Sequence, residues 1–254
     1  MRILLSNDDG VFAKGINTLF KELSKKHEVI MVAPEKERSG CGHGLTIGEP
    51  IRASKIEENI YSCSGTPADC ILFAIDIIYK KDKPDLVISG INHGANLGQD
   101  RFYSGTMAAA REGVFRGIPS IGISLVTKNE DQKEYFENAS HYLATLVERN
   151  IHENIPPMHL LNINIPNIDR EKIISAELTT AGYQIYTEEV VERVDHRGKA
   201  YYWLGGTYQG HKDIPGSDCN AVFDNKISVT LEDLRGTSEM DKKLRELLQE
   251  KVGI

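Results

Sequence analysis

The chain has 254 residues, of which 40% are apolar and 26% charged, and its formal net charge is -7 at pH 7. These values are typical of a folded globular protein with a substantial core. Because Lys and Arg do not cluster on any helical face, we expect neither a nucleic-acid polymer nor an anionic membrane as the main partner.

The first part of the chain alternates between strand and helix patterns. Apolar runs predict strands over residues 2–7, 27–33, 85–89, 119–125 and 159–165. Helical spacing and N-cap residues predict helices over residues 16–23, 66–79, 104–116 and 132–149. This alternation predicts an α/β fold over residues 1–179, with a doubly wound, mostly parallel, Rossmann-like sheet covered by helices on both faces.

The pattern changes at about residue 180. Alternating residues, the aromatic cluster Tyr201 to Trp203 and several glycines predict β-hairpins up to about residue 234. Ser238 and Asp241 then predict the start of a C-terminal helix that has leucines along one face. We expect residues 180–254 to form a β-hairpin appendage and a helix that mediate assembly into a homodimer or homotetramer.

Cysteine usage and the amino terminus predict a cytoplasmic protein. The four cysteines form no C-x-x-C pair and have no histidine at zinc-finger spacing, which disfavours disulfides and structural zinc. The chain passes from Met1 directly into an apolar strand, and no apolar run reaches about 18 residues. We therefore expect neither secretion nor a membrane span.

Two adjacent carboxylates, Asp8 and Asp9, follow the first strand and precede Gly10. Ligands of open α/β sheets bind beyond the carboxyl ends of the strands. Neighbouring side chains of a regular strand point to opposite faces, so both carboxylates serve one ion only if Gly10 lets the strand break into a turn. Two like charges this close repel unless they share a cation. The acidic pair, Asp8 and Asp9, therefore predicts a hard divalent metal ion.

Three further segments that follow predicted strands are rich in small, oxygen-bearing residues. They supply the hydroxyl of Ser39, the amides of Asn92 and Asn96, and a helix start at Ser104 and Thr106. Free N–H groups and the positive end of the helix dipole favour a phosphate at such a start. All these segments are expected at one edge of the sheet, where they would converge with the acidic pair.

Each of these signals also has an ordinary structural explanation. An acidic pair before glycine is usually a solvated turn, and Ser104 and Thr106 taken singly would be helix caps. Asparagines among glycines usually form turns. His43 and His93 are expected to be orienting or surface groups, because the surrounding chemistry is rich in oxygen. Only the convergence of the segments favours a site.

Five sequence blocks carry a resemblance to a known family. They are N-D-D-G at 7–10, V-A-P-E-K-E-R-S-G at 32–40, S-G-T-P-A-D-C at 64–70, S-G-I-N-H-G-A-N-L-G at 89–98 and Y-S-G-T-M-A-A-A-R-E-G at 103–113. The chain resembles the SurE family of survival-protein phosphatases, which are metal-dependent nucleoside 5'-monophosphate phosphatases with the SurE variant of the Rossmann-like fold. The match is looser in the second half.

The resemblance implies a set of functional residues. It implies one divalent cation per subunit, Mg²⁺ or Mn²⁺, with ligands that correspond to Asp8, Asp9, Ser39 and Asn92. It also implies phosphate-binding groups that correspond to Asn96, Ser104, Gly105 and Thr106. Asp8, Asp9, Asn96 and Ser104 would be the residues that take part in catalysis.

The expected reaction is hydrolysis of a phosphate monoester by water. Attack by water is favoured over attack by Asp8, because a carboxylate that binds metal is a poor nucleophile and the D-x-D-x-T spacing of aspartyl-phosphate enzymes is absent. His43 and Asp100 are candidates for the general acid only because their predicted loops lie near the acidic pair. The substrate class could extend to 3'-nucleotides and short polyphosphates.

Two other functions remain open at this level. One is a non-catalytic nucleotide-binding regulator on a doubly wound sheet, in which the acidic pair acts as a switch. The other is an esterase, although the chain lacks a G-x-S-x-G elbow. A nicotinamide enzyme is disfavoured, because G-x-G-x-x-G does not follow the first strand.

Overall fold

A computed structural model describes residues 1–127, 133–187 and 189–236. The strands are β1 (Arg2–Ser6), β2 (Glu28–Pro34), β3 (Ala53–Glu57), β4 (Ile60–Cys63), β5 (Leu86–His93), β6 (Ser120–Val126), β7 (His159–Pro166), β8 (Ala176–Thr179), β9 (Gln184–Tyr186), β10 (Glu189–Val194), β11 (Ala200–Gly205), β12 (Tyr208–His211) and β13 (Ile227–Asp233). The α-helices are α1 (Lys14–Leu23), α2 (Pro67–Phe73), α3 (Gly105–Phe115), α4 (Phe136–Glu148) and α5 (Asp218–Phe223). A wider helical turn, Ala74–Tyr79, continues α2, and short 3-10 helices cover Gly98–Phe102, Ile151–Asn154 and Arg170–Lys172.

The central sheet has nine strands in the order β3-β4-β2-β1-β5-β6-β7-β13-β8. The six strands from β4 to β7 are parallel, whereas β3 and β13 run antiparallel to β4 and β7. The chain winds from β1 towards β2 on one side and from β5 towards β7 on the other, so the fold is doubly wound, as predicted. The strand order therefore reverses between β1 and β5, which is where ligands of such sheets bind.

Helices cover both faces of this sheet because the strands are apolar on both faces. Leu5 packs in one cluster with Ile16 and Leu19 of α1, whereas its neighbour Leu4 packs in another cluster with Ile71 of α2. Successive strand residues point to opposite faces, which accounts for this division. Helix α4 joins the first cluster through Leu143, and α3 packs against α2 on the other face.

Local signals placed α2 correctly. Thr66 caps this helix by accepting a hydrogen bond from the Asp69 N–H, and the Asp69 side chain accepts one from the Thr66 N–H. Pro67 occupies the first turn, where a missing N–H costs nothing. These three residues form the predicted helix start.

Strand β5 is longer than predicted. The sequence indicated a strand that ends at Ser89 and a loop from there to Asp100, but β5 continues to His93. After an irregularity in the register, Asn92 pairs with Ser124 of β6. The extension depends on the neighbouring strand, so Gly90 and the polar residues that follow gave no local indication of it. Asn92 is therefore a strand residue rather than a loop residue.

The region after residue 180 only partly forms an appendage. Strands β9 and β12, and strands β10 and β11, make two separate two-stranded sheets. Strand β13, in contrast, lies between β7 and β8 in the central sheet. The central sheet thus includes a strand from beyond the boundary expected at residue 179. The alternating pattern of β13 is equally typical of a hairpin strand. Only the pairing of β13 with β7 and β8 shows that this strand belongs to the central sheet.

The C-terminal helix expected from Ser238 lies outside the described residues. Within the described ranges, no helix combines the length and apolar character needed to cross a membrane.

Candidate functional site

Four segments meet around the acidic pair at the carboxyl edge of the sheet. Thr106 at the start of α3 donates a hydrogen bond from its hydroxyl to Asp8 Oδ1. His93 at the end of β5 donates its N–H to Asp9 Oδ2 at 3.1 Å. Arg38, in the loop after β2, donates its N–H to the Asp8 carbonyl at 2.7 Å. Of the residues predicted to converge with the acidic pair, Thr106 thus bonds to it directly, and the other two contacts come from His93 and Arg38.

The turn after β1 is built by its own residues. Asn7 donates from Nδ2 to the Gly10 carbonyl at 3.0 Å, and its Oδ1 accepts the Gly10 N–H at 3.2 Å. Gly10 has φ 103, a conformation that side chains other than glycine rarely adopt. This turn ends the strand before the acidic pair, so the two carboxylates are not held on opposite faces of the sheet.

Asp8 lies at the buried start of α3. Its side chain is 3% exposed, and burial raises its pKa, although hydrogen bonds from Thr106 and the Gly105 N–H oppose that rise. A Cβ on Gly105 would lie 2.8 Å from the Asp8 Cβ, so only glycine permits this close approach. The helix start thus contacts the carboxylate directly.

Asp9 is the second carboxylate of the acidic pair. Burial, followed by the charge of Asp8, raises the pKa of Asp9 to about 6, and the hydrogen bond from the His93 N–H counteracts only part of that rise. The protein therefore places two carboxylates where their negative charges are poorly compensated by its own groups. Such a pair fits a shared cation.

Ser39 and Asn92 offer neutral oxygens on either side of β1. Ser39 is exposed and donates its hydroxyl to Glu37 Oε1 at 2.8 Å, so the Oγ lone pairs are directed elsewhere. Asn92 donates from Nδ2 to the Gly94 carbonyl at 2.9 Å, which leaves the amide oxygen as the end that can accept a cation. In both residues a polar hydrogen is engaged in a hydrogen bond, and the side-chain oxygen can bind a cation.

The residues expected to face a phosphate occupy two positions. Ser104 is the N-cap of α3 and accepts the Met107 N–H at 3.1 Å, so its hydroxyl acts as a cap. Asn96, which is buried, lies in the loop after β5 and donates from Nδ2 to Ser124 Oγ at 2.7 Å. This loop and the helix start belong to the same edge of the sheet.

The two candidates for a general acid have partners away from the acidic pair. His43 Nε2 lies 3.1 Å from Glu112 Oε2, and the His43 ring stacks on Phe115 with centroids 5.7 Å apart. Asp100 accepts hydrogen bonds from Gln184 Nε2 and from the Tyr186 hydroxyl, both in β9. Burial raises the pKa of Asp100.

An aromatic cavity of about 420 Å³ adjoins the loop that carries Asn96. Its lining includes Leu97, Asp100, Tyr186, Tyr208, His211 and Phe223. The Tyr186 and Tyr208 rings meet edge to face at 5.8 Å between centroids. Apart from Leu97 and Asp100, no motif marked these residues, because they come from separate segments that only the fold assembles. The signal that the other four share is an aromatic ring.

The chain is similar to proteins of known name and structure. It aligns with the crystal structure of the SurE protein from Aquifex aeolicus at a TM-score of 0.85 and 39% identity, over 98% of this chain and 100% of that one. A 5'-nucleotidase SurE from Vibrio vulnificus (strain CMCP6) is 46% identical over 230 residues, which are 91% of this chain and 88% of the relative.

A second relative and a family model agree with these similarities. A 5'-nucleotidase SurE from Myxococcus xanthus (strain DK1622) is 45% identical over 231 residues, covering 90% of this chain and 86% of the relative. The family model described as survival protein SurE matches residues 3–188. The similarities thus extend beyond the five sequence blocks to nearly the whole chain, which belongs to the SurE family.

Proposed function

We propose that this chain is a metal-dependent phosphatase that hydrolyses nucleoside 5'-monophosphates to a nucleoside and inorganic phosphate. The observation that carries this proposal is the contact between the acidic pair and the start of α3 at the point where strand order reverses. The relatives from Vibrio vulnificus and Myxococcus xanthus are named as 5'-nucleotidases, which supports the same activity and gives no support to a non-catalytic regulator.

The donor set fits one Mg²⁺ or Mn²⁺ ion per subunit. Asp8, Asp9, Ser39 and Asn92 would hold it through oxygen atoms, the ligands that these ions prefer. In the described part of the chain, no three His, Cys, Asp or Glu side chains are grouped closely enough to hold a metal ion. When bound, the cation would polarise the phosphoryl group and the water that attacks it.

The protein's own residues would bind and orient the substrate. The amide of Asn96 would contact the phosphate. The start of α3 at Gly105 and Thr106, whose N–H groups bond Asp8, would place the positive end of the helix dipole beside the phosphate, with Ser104 as the N-cap of that helix. Thr106 would also orient Asp8. Water would attack phosphorus in line with the leaving 5'-oxygen, whose bond to phosphorus breaks as the oxygen takes up a proton.

The nucleoside would occupy the aromatic cavity. Tyr186, Tyr208 and Phe223 offer ring faces and edges next to the Asn96 loop, which suits a planar base. Asp100 lines this cavity, whereas His43 lines a different one together with Phe115. Asp100 is thus the general-acid candidate on the nucleoside side.

The β10–β11 hairpin would join subunits into a homodimer or homotetramer. Its residues Trp203 and Leu204 are 65% and 84% exposed, which is unusual for large apolar side chains on a free surface. The assembly would work in the cytoplasm, as the composition and cysteine usage predict. The substrate range would also include 3'-nucleotides and short polyphosphates.

A substrate panel tests this function. The purified protein is incubated with 5'- and 3'-nucleotides, polyphosphate and a carboxylic ester, with Mg²⁺, with Mn²⁺ and after chelation. We expect metal-dependent release of inorganic phosphate, fastest from 5'-nucleotides. Tight binding of 5'-AMP or 5'-GMP without phosphate release would instead identify a regulator. Metal-independent hydrolysis of the ester would identify an esterase.

A further inference from the structure

Two asparagines lie in the middle of an otherwise apolar strand. Asn162 and Asn164 of β7 are 0% exposed and alternate with Leu161, Ile163 and Ile165. A buried amide is costly unless its donors and acceptor find partners, so its presence in a central strand requires an explanation. Both asparagines lie on the same face of β7, since strand residues alternate.

The asparagine side chains bind the main chain of Asn96. Asn164 Oδ1 accepts the Asn96 N–H at 2.8 Å, and Asn164 Nδ2 donates to the Asn96 carbonyl at 3.2 Å. Asn162 Nδ2 donates to the same carbonyl at 2.8 Å. The Asn164 amide thus bonds both polar groups of one residue, as a neighbouring strand would.

Ser124 of β6 holds the side chain of Asn96. Its Oγ accepts the hydrogen bond from Asn96 Nδ2 at 2.7 Å, and the residue is 0% exposed. In the sheet, Ser124 is paired with Asn92 of β5 on one side and with Asn164 of β7 on the other. Three adjacent strands therefore place polar residues at one level of the sheet, and two of these residues, Ser124 and Asn164, bond Asn96.

We propose that Ser124, Asn162 and Asn164 are positioning residues that hold Asn96 in the orientation needed to bind the phosphate of the substrate. This inference rests on the proposed phosphatase function. The three side chains act through Asn96 and do not touch the substrate. Their bonds converge on the main chain and the side chain of a single loop residue, so they fix both where Asn96 lies and how its amide is turned.

Ser124→Ala tests whether the hydrogen bond to the Asn96 side chain matters for phosphate binding, and Ser120→Ala is the matched control. Ser120 lies on the same strand, is also 0% exposed, and donates one hydrogen bond to the Ile118 carbonyl at 2.9 Å, away from Asn96. Affinity for inorganic phosphate is measured by calorimetry in Mn²⁺, beside kcat, KM and Tm. We expect Ser124→Ala to weaken phosphate binding and raise KM about fivefold.

The control and a conservative variant separate positioning from stability. Both alanine variants lose a buried hydrogen bond and should show a lower Tm, but Ser120→Ala should keep wild-type phosphate affinity. Ser124→Thr retains the hydroxyl and should restore that affinity. Asn164→Asp keeps the acceptor for the Asn96 N–H but sets a carboxylate oxygen against the Asn96 carbonyl, so its loss of affinity should exceed that of Ser124→Ala.

A double variant decides whether Ser124 acts through Asn96. If it does, Ser124→Ala combined with Asn96→Ala should bind phosphate no more weakly than Asn96→Ala alone. Additive losses, or equal phosphate affinity in the Ser124→Ala and Ser120→Ala variants, would overturn the inference. So would a wild-type protein that binds no phosphate. If the wild type binds phosphate but releases none from nucleotides, the proposed function fails while the Ser124 comparison still decides this inference.

Discussion

Thr106 donates a hydrogen bond from its hydroxyl to Asp8, and this bond joins the first turn of α3 to the end of β1. Both residues are buried, and they lie 98 positions apart in the chain. The bond brings a carboxylate to the positive end of a helix dipole, where negative charge is favoured. The same helix start would contact the substrate phosphate, so Asp8 and the phosphate would be oriented by one element.

Replacing Asp8 by Asn should lower kcat by about two orders of magnitude or more, because a neutral amide removes charge from the proposed metal site. The amide oxygen can still accept the Thr106 hydrogen bond, so we expect the fold to persist. Release of phosphate from 5'-AMP measures the effect, and Asp76→Asn, at an exposed position, serves as the control. A kcat equal to that of the control would rule out this role for Asp8.

Adding Mn²⁺ or Mg²⁺ to chelated protein should restore activity and raise Tm, since an ion that binds only the folded state stabilises it. The shift in Tm needs no substrate and therefore tests the cation separately from turnover. In the Asp9→Asn variant we expect most of that shift to disappear. Full activity after exhaustive chelation would contradict a metal-dependent reaction.

Tyr208→Ala should raise KM for 5'-AMP about fivefold, because an aromatic contact to the base is worth about 1 kcal/mol. Ribose 5-phosphate lacks the base, so its KM should stay the same. Equal changes for both substrates would show that Tyr208 does not contact the base.

Glu112→Gln should reduce stability at neutral pH and have little effect in acid. The hydrogen bond with His43, followed by that with Arg116, holds the pKa of Glu112 below its ordinary value of 4.5. A carboxylate with a lowered folded-state pKa stabilises the protein above its unfolded pKa, and this contribution is lost as the pH falls through the folded pKa.

At pH 7 we therefore expect a cost of about 1–2 kcal/mol for Glu112→Gln, visible as a lower Tm. The difference from wild type should shrink as the pH falls below 4.5. Thermal melts from pH 7 to acid test this, with exposed Glu57→Gln as the comparison. A Tm difference that is independent of pH would mean that the Glu112 charge is not responsible.

Changing Trp203 and Leu204 together to Ser should weaken assembly, because these side chains supply the largest exposed apolar surface of the β10–β11 hairpin. Light scattering across a range of concentrations gives the mass. Ile174→Ser, which is 69% exposed elsewhere, should leave that mass unchanged. A monomeric wild type, or an unaltered mass in the double variant, would argue against the hairpin as an interface.

Much of the fold and part of the candidate site could be predicted from local patterns. The apolar strands, the cap of α2 at Thr66 and the N-cap of α3 at Ser104 depend on neighbouring residues, so they can be recognised along the chain. The acidic pair could be placed at a sheet edge because a strand and a turn-forming Gly10 adjoin it. The extension of β5 to Asn92 and the insertion of β13 could not be predicted, since both depend on partner strands distant in sequence.

Residue types and short spacings along the chain suffice to predict the class of fold, the family and the chemical character of the carboxyl edge. The folded chain alone shows that Thr106 bonds Asp8, that Asn162 and Asn164 hold Asn96, and that rings from β9, β12 and α5 line one cavity. Side-chain contacts between distant segments depend on strand order and register, and a linear pattern does not encode either one locally.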